Sequence, residues 1–112
     1  MDTPQGIELA SEHVDLEGMD HNFLTFLSHL GLVHTLLFGK PLVITSGVDS
    51  IHSAGSLHKV GRAGDLRTSD KDNSGNELLL HLLAYAASGN PIAVFDERRC
   101  AGGSHIHVEW HG

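Results

Sequence analysis

One stretch of this sequence, residues 105–110, reads His-Ile-His-Val-Glu-Trp and alternates polar and apolar side chains. Successive side chains of a β-strand point to opposite faces of the sheet. A strand here therefore places His105, His107 and Glu109 on one face and the apolar residues on the other. Because a strand rises about 3.3 Å per residue, these three side chains cannot all reach one ion. We expect one or two of them to bind a metal and a neighbour to exchange protons.

A second stretch contains His58 and Asp65, which are separated by a glycine-rich segment. Gly61 and Gly64 disfavour a helix, but a loop that returns into a strand can bring the two side chains together. Zinc accepts imidazole nitrogen and carboxylate oxygen, and a catalytic zinc usually has three protein ligands and one open position. His58, Asp65 and His107 would supply these three ligands.

The composition indicates which classes of function are not expected. The 112 residues include ten histidines, and the formal net charge is −7 with seven Lys and Arg residues that form no run. Nucleic-acid binding depends on clustered cations, so no nucleic-acid partner is expected. The one cysteine, Cys100, has no partner for an internal disulfide. No apolar run reaches the roughly 18 residues of a membrane span, and no export signal or membrane insertion is expected.

The elements that would carry these residues follow from periodicity. A three- and four-residue spacing of apolar side chains predicts a helix over 20–38, and a capping box at Ser74 and Glu77 predicts the start of a second helix that ends near Gly89. Apolar runs predict strands over 41–47, 91–95 and 105–110, after an irregular or partly extended N-terminal arm over 1–18. The prediction is one α+β domain over 1–112, with two helices packed on a small, largely antiparallel sheet.

The second stretch also carries a recognisable motif. It resembles the S-x-H-x-x-G-x-A-x-D motif of zinc D-alanyl-D-alanine carboxypeptidases and phage L-alanyl-D-glutamate endolysins, through Ser56, His58, Gly61, Ala63 and Asp65. Residues 107–110 are similar to the segment that gives this family its last zinc ligand. Residues 105–107 resemble the H-x-H of the wider lysostaphin-type and hedgehog group, and the resemblance covers about residues 42–110.

The resemblance implies a hedgehog-like fold with one zinc ion on His58, Asp65 and His107. It also implies a metal-activated water that hydrolyses a peptide bond of the peptidoglycan stem, or of a short peptide containing D-amino acids. A monomer is expected. The protein would be made in the cytoplasm and either released to the cell wall or carried in a phage virion.

The general base departs from the family pattern. The family commonly has an acidic residue three positions before the last zinc ligand, where this chain has Ser104. His105 is the first alternative because the H-x-H relatives use that position for catalysis. Glu109 is the second because it shares the face, and Asp96 and Glu97 remain open.

The position of the substrate-binding arginine also differs from the family pattern. The family often has an arginine soon after its first strand, whereas residues 48–50 are Val-Asp-Ser. Arg62 or Arg67 could take its place, because a guanidinium binds a carboxylate through two parallel hydrogen bonds. Spacing does not decide between them. Ser56 is the third residue expected near the substrate.

Two other functions fit the same residues. A zinc-binding module without catalysis would explain the loss of the base and of the arginine, and a fourth protein ligand would favour it because structural zinc sites are usually closed. A histidine-rich metal buffer or virion component would instead have several weak sites.

Overall fold

The computed structural model describes residues 3–48, 61–98 and 105–112. It contains two helices and a five-stranded, mostly antiparallel sheet, which confirms the α+β prediction. In chain order the elements are β1 (Ile7–Leu9), α1 (His21–Phe38), β2 (Leu42–Ser46), β3 (Ala63–Arg67), α2 (Asn73–Ala87), β4 (Ile92–Glu97) and β5 (His105–Trp110). Within the described ranges, neither helix is long and apolar enough to cross a membrane.

Helix α1 starts and stops where the sequence indicates. The Asp20 side chain accepts hydrogen bonds from the backbone N–H groups of Asn22 and Phe23, which satisfies two amides of the first turn. Gly39 ends the helix with φ 72°, and its N–H donates to the Thr35 carbonyl. Glycine suits this left-handed conformation because it has no Cβ to clash.

Helix α2 begins differently from the prediction, and the predicted capping box is wrong. Asp72 is the N-cap, and its carboxylate accepts from the N–H of Gly75, so Ser74 lies inside the first turn. Aspartate caps as well as serine does, and here it stands two positions earlier. Glu77 instead accepts a hydrogen bond from Arg98 at 3.0 Å, next to the end of β4.

The sheet has the strand order β1-β2-β3-β5-β4. β1 and β2 are parallel, and all other neighbouring pairs are antiparallel. The helices cover one face, where they bury the apolar side chains of the inner strands. This core contains Phe23, Leu27, Leu79, Leu83, Leu66, Ile106 and Val108, each fully buried.

The N-terminal arm belongs to this core. Its residues 7–9 form β1 along the edge of β2, which fits the partly extended form of the prediction. Ile7, Val14 and Leu16 are buried in the same cluster as the helix residues. The arm therefore lies along the β2 edge of the sheet and packs into the core, and it does not project from the domain.

Candidate metal centre

The site lies on the face of the sheet that the helices do not cover. β5 alternates half-buried and buried residues from His105 to Trp110, so His105, His107 and Glu109 share the outer face. Ile106 and Val108 point into the core. The strand alternation expected from the sequence is confirmed.

β3 supplies Asp65 to the same face. Its register pairs Asp65 with His107, although the two residues are 42 positions apart in the chain. Asp65 Oδ1 lies 2.8 Å from His107 Nδ1, and the aspartate side chain is 10% exposed. β3 lies between β2 and β5 in the sheet, and it therefore holds the Asp65 carboxylate in a mostly buried position against the His107 imidazole.

His107 lies between two carboxylates. Its Nε2 is 2.8 Å from Glu109 Oε2, on the opposite side of the ring from Asp65. The hydrogen bond with Asp65, helped by the one with Glu109, raises the pKa of His107 to about 9 against the opposing effect of burial. In the absence of a metal, both ring nitrogens of His107 are therefore protonated at neutral pH and both donate.

β4 contributes Glu97, which is the register partner of His105. Glu97 Oε1 lies 2.8 Å from His105 Nε2, and that nitrogen lies 3.7 Å from Asp65 Oδ1. Asp65, Glu97 and His105 offer one ligand atom each, all within 4.8 Å of one another. These three residues could hold a metal ion.

Their spacing fits a small divalent cation. Zinc–ligand distances of about 2.0–2.2 Å put two ligand atoms of a tetrahedral site about 3.3–3.6 Å apart. The distances from His105 Nε2 to Glu97 and Asp65, 2.8 and 3.7 Å, bracket that value. Two carboxylates and an imidazole also match the oxygen and nitrogen donors that zinc accepts.

The two arginines expected to bind substrate lie in different places. Arg67 is the β3 register partner of His105, so it lies in the row of residues that contains the candidate ligands. Arg62 lies with its Nε 3.9 Å from Asp20 Oδ2, at the start of α1 on the helix side. Of the two, Arg67 is the one that the structure brings to the site.

The remaining predicted residues divide into two groups. Asp96 accepts hydrogen bonds from the Arg98 guanidinium at 2.7 and 2.8 Å, and Glu97 is the acidic residue of β4 that reaches His105. Ser56, His58 and Ser104 lie outside the described residues. From the predicted set, the structure thus brings together Asp65, Glu97, His105, His107 and Glu109, with Arg67 in the same row.

Glu97 is the residue that sequence reasoning undervalued. The prediction ended the strand at residue 95, whereas β4 continues to Glu97 and pairs it with His105. The alternation of Phe95 and Glu97 on one face was the available signal. To use this signal, the register of the β4–β5 pair must be known, and the sequence between the two strands does not specify that register.

No protein-family model matches this chain, and no curated protein matches it in sequence.

Proposed function

We propose that the protein is a zinc-dependent peptidase that hydrolyses peptidoglycan stem peptides, as a D,D-carboxypeptidase or an L-alanyl-D-glutamate endolysin. The observation that supports this is the contact between Asp65 and His107, at 2.8 Å. These are two of the three ligands that the sequence motif implies, and the sheet register makes them neighbours. His58 is the third proposed ligand.

Zinc bound there would lower the pKa of a coordinated water to about 7 and polarise a scissile carbonyl. His105 is the proposed acid/base group. Its imidazole, 21% exposed, is fixed by Glu97 on one nitrogen and lies close to Asp65. A carboxylate partner holds an imidazole in one orientation, which suits a group that accepts a proton from water and passes it to a leaving amine.

Arg67 is the proposed contact for the substrate carboxylate. It shares the outer face and the register position of His105. A free carboxylate of a stem peptide bound by its planar guanidinium would lie along the row of candidate ligands. Arg62 is the weaker choice because Asp20 is its nearest carboxylate, on the helix side.

One observation favours a second function, a zinc-binding module without catalysis. Glu97 and His105 add two ligands beside Asp65. If His105 bound the metal, protein ligands would fill the coordination shell and leave no position for water. His105 would then be a ligand, and the chain would have a structural or binding role.

The test is zinc stoichiometry of the purified protein together with mass-spectrometric analysis of digested peptidoglycan. Wild type is compared with His107→Ala and with a matched control, His111→Ala, which removes a half-exposed histidine of the same chain segment. We expect one tightly bound zinc and new stem fragments that disappear only in His107→Ala. Zinc without fragments would favour the binding module, and absence of zinc would refute both.

A further inference from the structure

Glu109 contacts the side of His107 that faces away from Asp65. His107 Nδ1 lies against Asp65 Oδ1, and His107 Nε2 lies against Glu109 Oε2, each at 2.8 Å. Asp65 forms a group that could hold a metal with Glu97 and His105, and neither His107 nor Glu109 is in that group. If His107 binds the metal together with Asp65, as the proposed function requires, Nδ1 is the ring nitrogen on the Asp65 side, and Nε2 would carry the hydrogen that Glu109 accepts.

The carboxylate of Glu109 is held on both oxygens. Oε2 contacts His107, and Oε1 lies 3.1 Å from His111 Nε2. The register neighbours of Glu109 on both sides are alanines, Ala63 and Ala93, whose small side chains leave room for the carboxylate on this face. The strand and the contact with His107 thus set the orientation of Glu109, and the half-exposed His111 is a peripheral partner.

This position does not suit a general base. A base must come within hydrogen-bond reach of the water that it deprotonates. The imidazole ring of His107 stands between Glu109 and the metal side, and Oε2 is already engaged by the ring. His105 and Glu97, by contrast, lie on the metal side beside Asp65.

We propose that Glu109 is a positioning residue, whose carboxylate fixes the His107 ring so that Nδ1 is presented to zinc. The inference rests on the proposed function, in which His107 is a ligand. Metal-binding histidines commonly donate their other N–H to a carboxylate, which fixes the tautomer and makes the ligand nitrogen more basic. Loss of such a partner typically lowers metal affinity about 10- to 100-fold.

The experiment measures zinc affinity by competition with a chelator for wild type, Glu109→Ala, Glu109→Gln and His111→Ala. We expect Glu109→Ala to bind zinc about 10- to 100-fold more weakly. Glu109→Gln should recover part of the loss, because its amide oxygen still accepts from Nε2. His111→Ala removes the other partner of Glu109 and should change the affinity less than about 3-fold, since His107 keeps its carboxylate.

A spectroscopic measurement separates positioning from general stability. Long-range ¹H–¹⁵N spectra of the zinc-loaded wild type should show His107 bound through Nδ1 with hydrogen on Nε2. Thermal unfolding of each metal-free variant controls for folding, and the Gln variant serves where the Ala variant is unfolded. Zinc bound through Nε2, or equal affinity of wild type and the folded Glu109 variants, would overturn the inference.

The outcomes also separate this inference from the proposed function. A wild type that binds no zinc would overturn both. A wild type that binds zinc with unchanged affinity in the Glu109 variants would overturn the positioning role alone. Weakened zinc binding in Glu109→Ala without hydrolysis of peptidoglycan by wild type would uphold the positioning role and overturn the peptidase.

Discussion

Asp65 and His107 face each other across the β3–β5 ladder, and their side chains form the contact around which the site is built. Asp65 Oδ1 lies 2.8 Å from His107 Nδ1 and 3.7 Å from His105 Nε2. One carboxylate therefore touches both histidines of β5. It belongs to the ligand set implied by the motif and also to the set formed with Glu97.

The first prediction follows from that shared position. Asp65→Asn keeps the shape of the side chain but removes its charge, so zinc affinity should fall by on the order of 100-fold or more, whichever ligand set operates. Chelator competition measures the loss. Asp15→Asn, in the N-terminal arm, is the matched control and should bind zinc as wild type does. Tight zinc binding by Asp65→Asn would refute a metal centre at this aspartate.

Glu97→Gln distinguishes the two ligand sets. If zinc is held by His58, Asp65 and His107, the variant should retain zinc with near wild-type affinity. Hydrolysis should fall by about 10- to 100-fold, because His105 loses the carboxylate that supports its acid/base role. Elemental analysis and a fragment assay on the same sample measure both. Loss of zinc from Glu97→Gln would instead assign the metal to Asp65, Glu97 and His105.

The metal-free protein should lose stability at alkaline pH. The folded-state pKa of His107, about 9, lies above its ordinary value of 6.5 because of Asp65 and Glu109. The stabilisation is therefore fully present below about pH 6.5 and is lost as pH rises through about 9. Urea unfolding in the presence of a chelator, at intervals from pH 6 to 10, should show this decline.

His107→Gln should flatten that decline, because it removes the titrating group. His111→Gln, at the more exposed histidine beside Glu109, should leave the slope unchanged. Equal slopes in wild type and His107→Gln would contradict the assignment of the alkaline loss to His107.

Two leucines of α1 test the assignment of its buried face. Leu27 is fully buried, and Leu36 is 85% exposed. Leu27→Ala should lower the free energy of unfolding by about 2–5 kcal/mol, because it removes buried methyl groups and leaves a cavity. Leu36→Ala should change it by less than about 0.5 kcal/mol. Denaturant unfolding measures both, and similar losses would mean that α1 packs through a different face.

Gly31 should be intolerant of alanine even though it lies within a helix. Alanine usually favours a helix over glycine by about 1 kcal/mol. Here a Cβ would lie 2.5 Å from the Gly6 carbonyl oxygen, where the N-terminal arm crosses α1. Gly31→Ala should therefore lower the melting temperature, whereas Ser28→Ala, on the same helix, should not lower it appreciably. A more stable Gly31→Ala variant would show that the arm does not pack there.

Much of the architecture was predictable because its signals are local. Periodic apolar residues predicted both helices, and alternation in β5 predicted the face shared by His105, His107 and Glu109. The alignment of Asp65 with His107 was expected only through the motif. It is produced by the register of β3 and β5, which involves residues far apart in the chain.

The features that sequence reasoning missed depend on a choice between two possible cap residues or on the pairing of strands. Asp72 and Ser74 are both good helix caps, so residue type alone does not decide between them, and in the structure Asp72 is the cap. β1 is three residues long and pairs in parallel with β2, which leaves no turn signature in the sequence. Glu97 reaches His105 because β4 runs two residues beyond its apolar run.

The alternation in β5 ties the site to the core, since the same six residues supply both. Deleting one residue inside this strand would turn the residues on one side of the deletion to the opposite face, so that site side chains would point to the helices and apolar ones to the outer row. Such a change would disrupt the candidate metal centre and lower the stability of the fold at the same time. We therefore expect insertions and deletions to be tolerated in the connections outside residues 105–110. Inside the strand, the number of residues should be preserved.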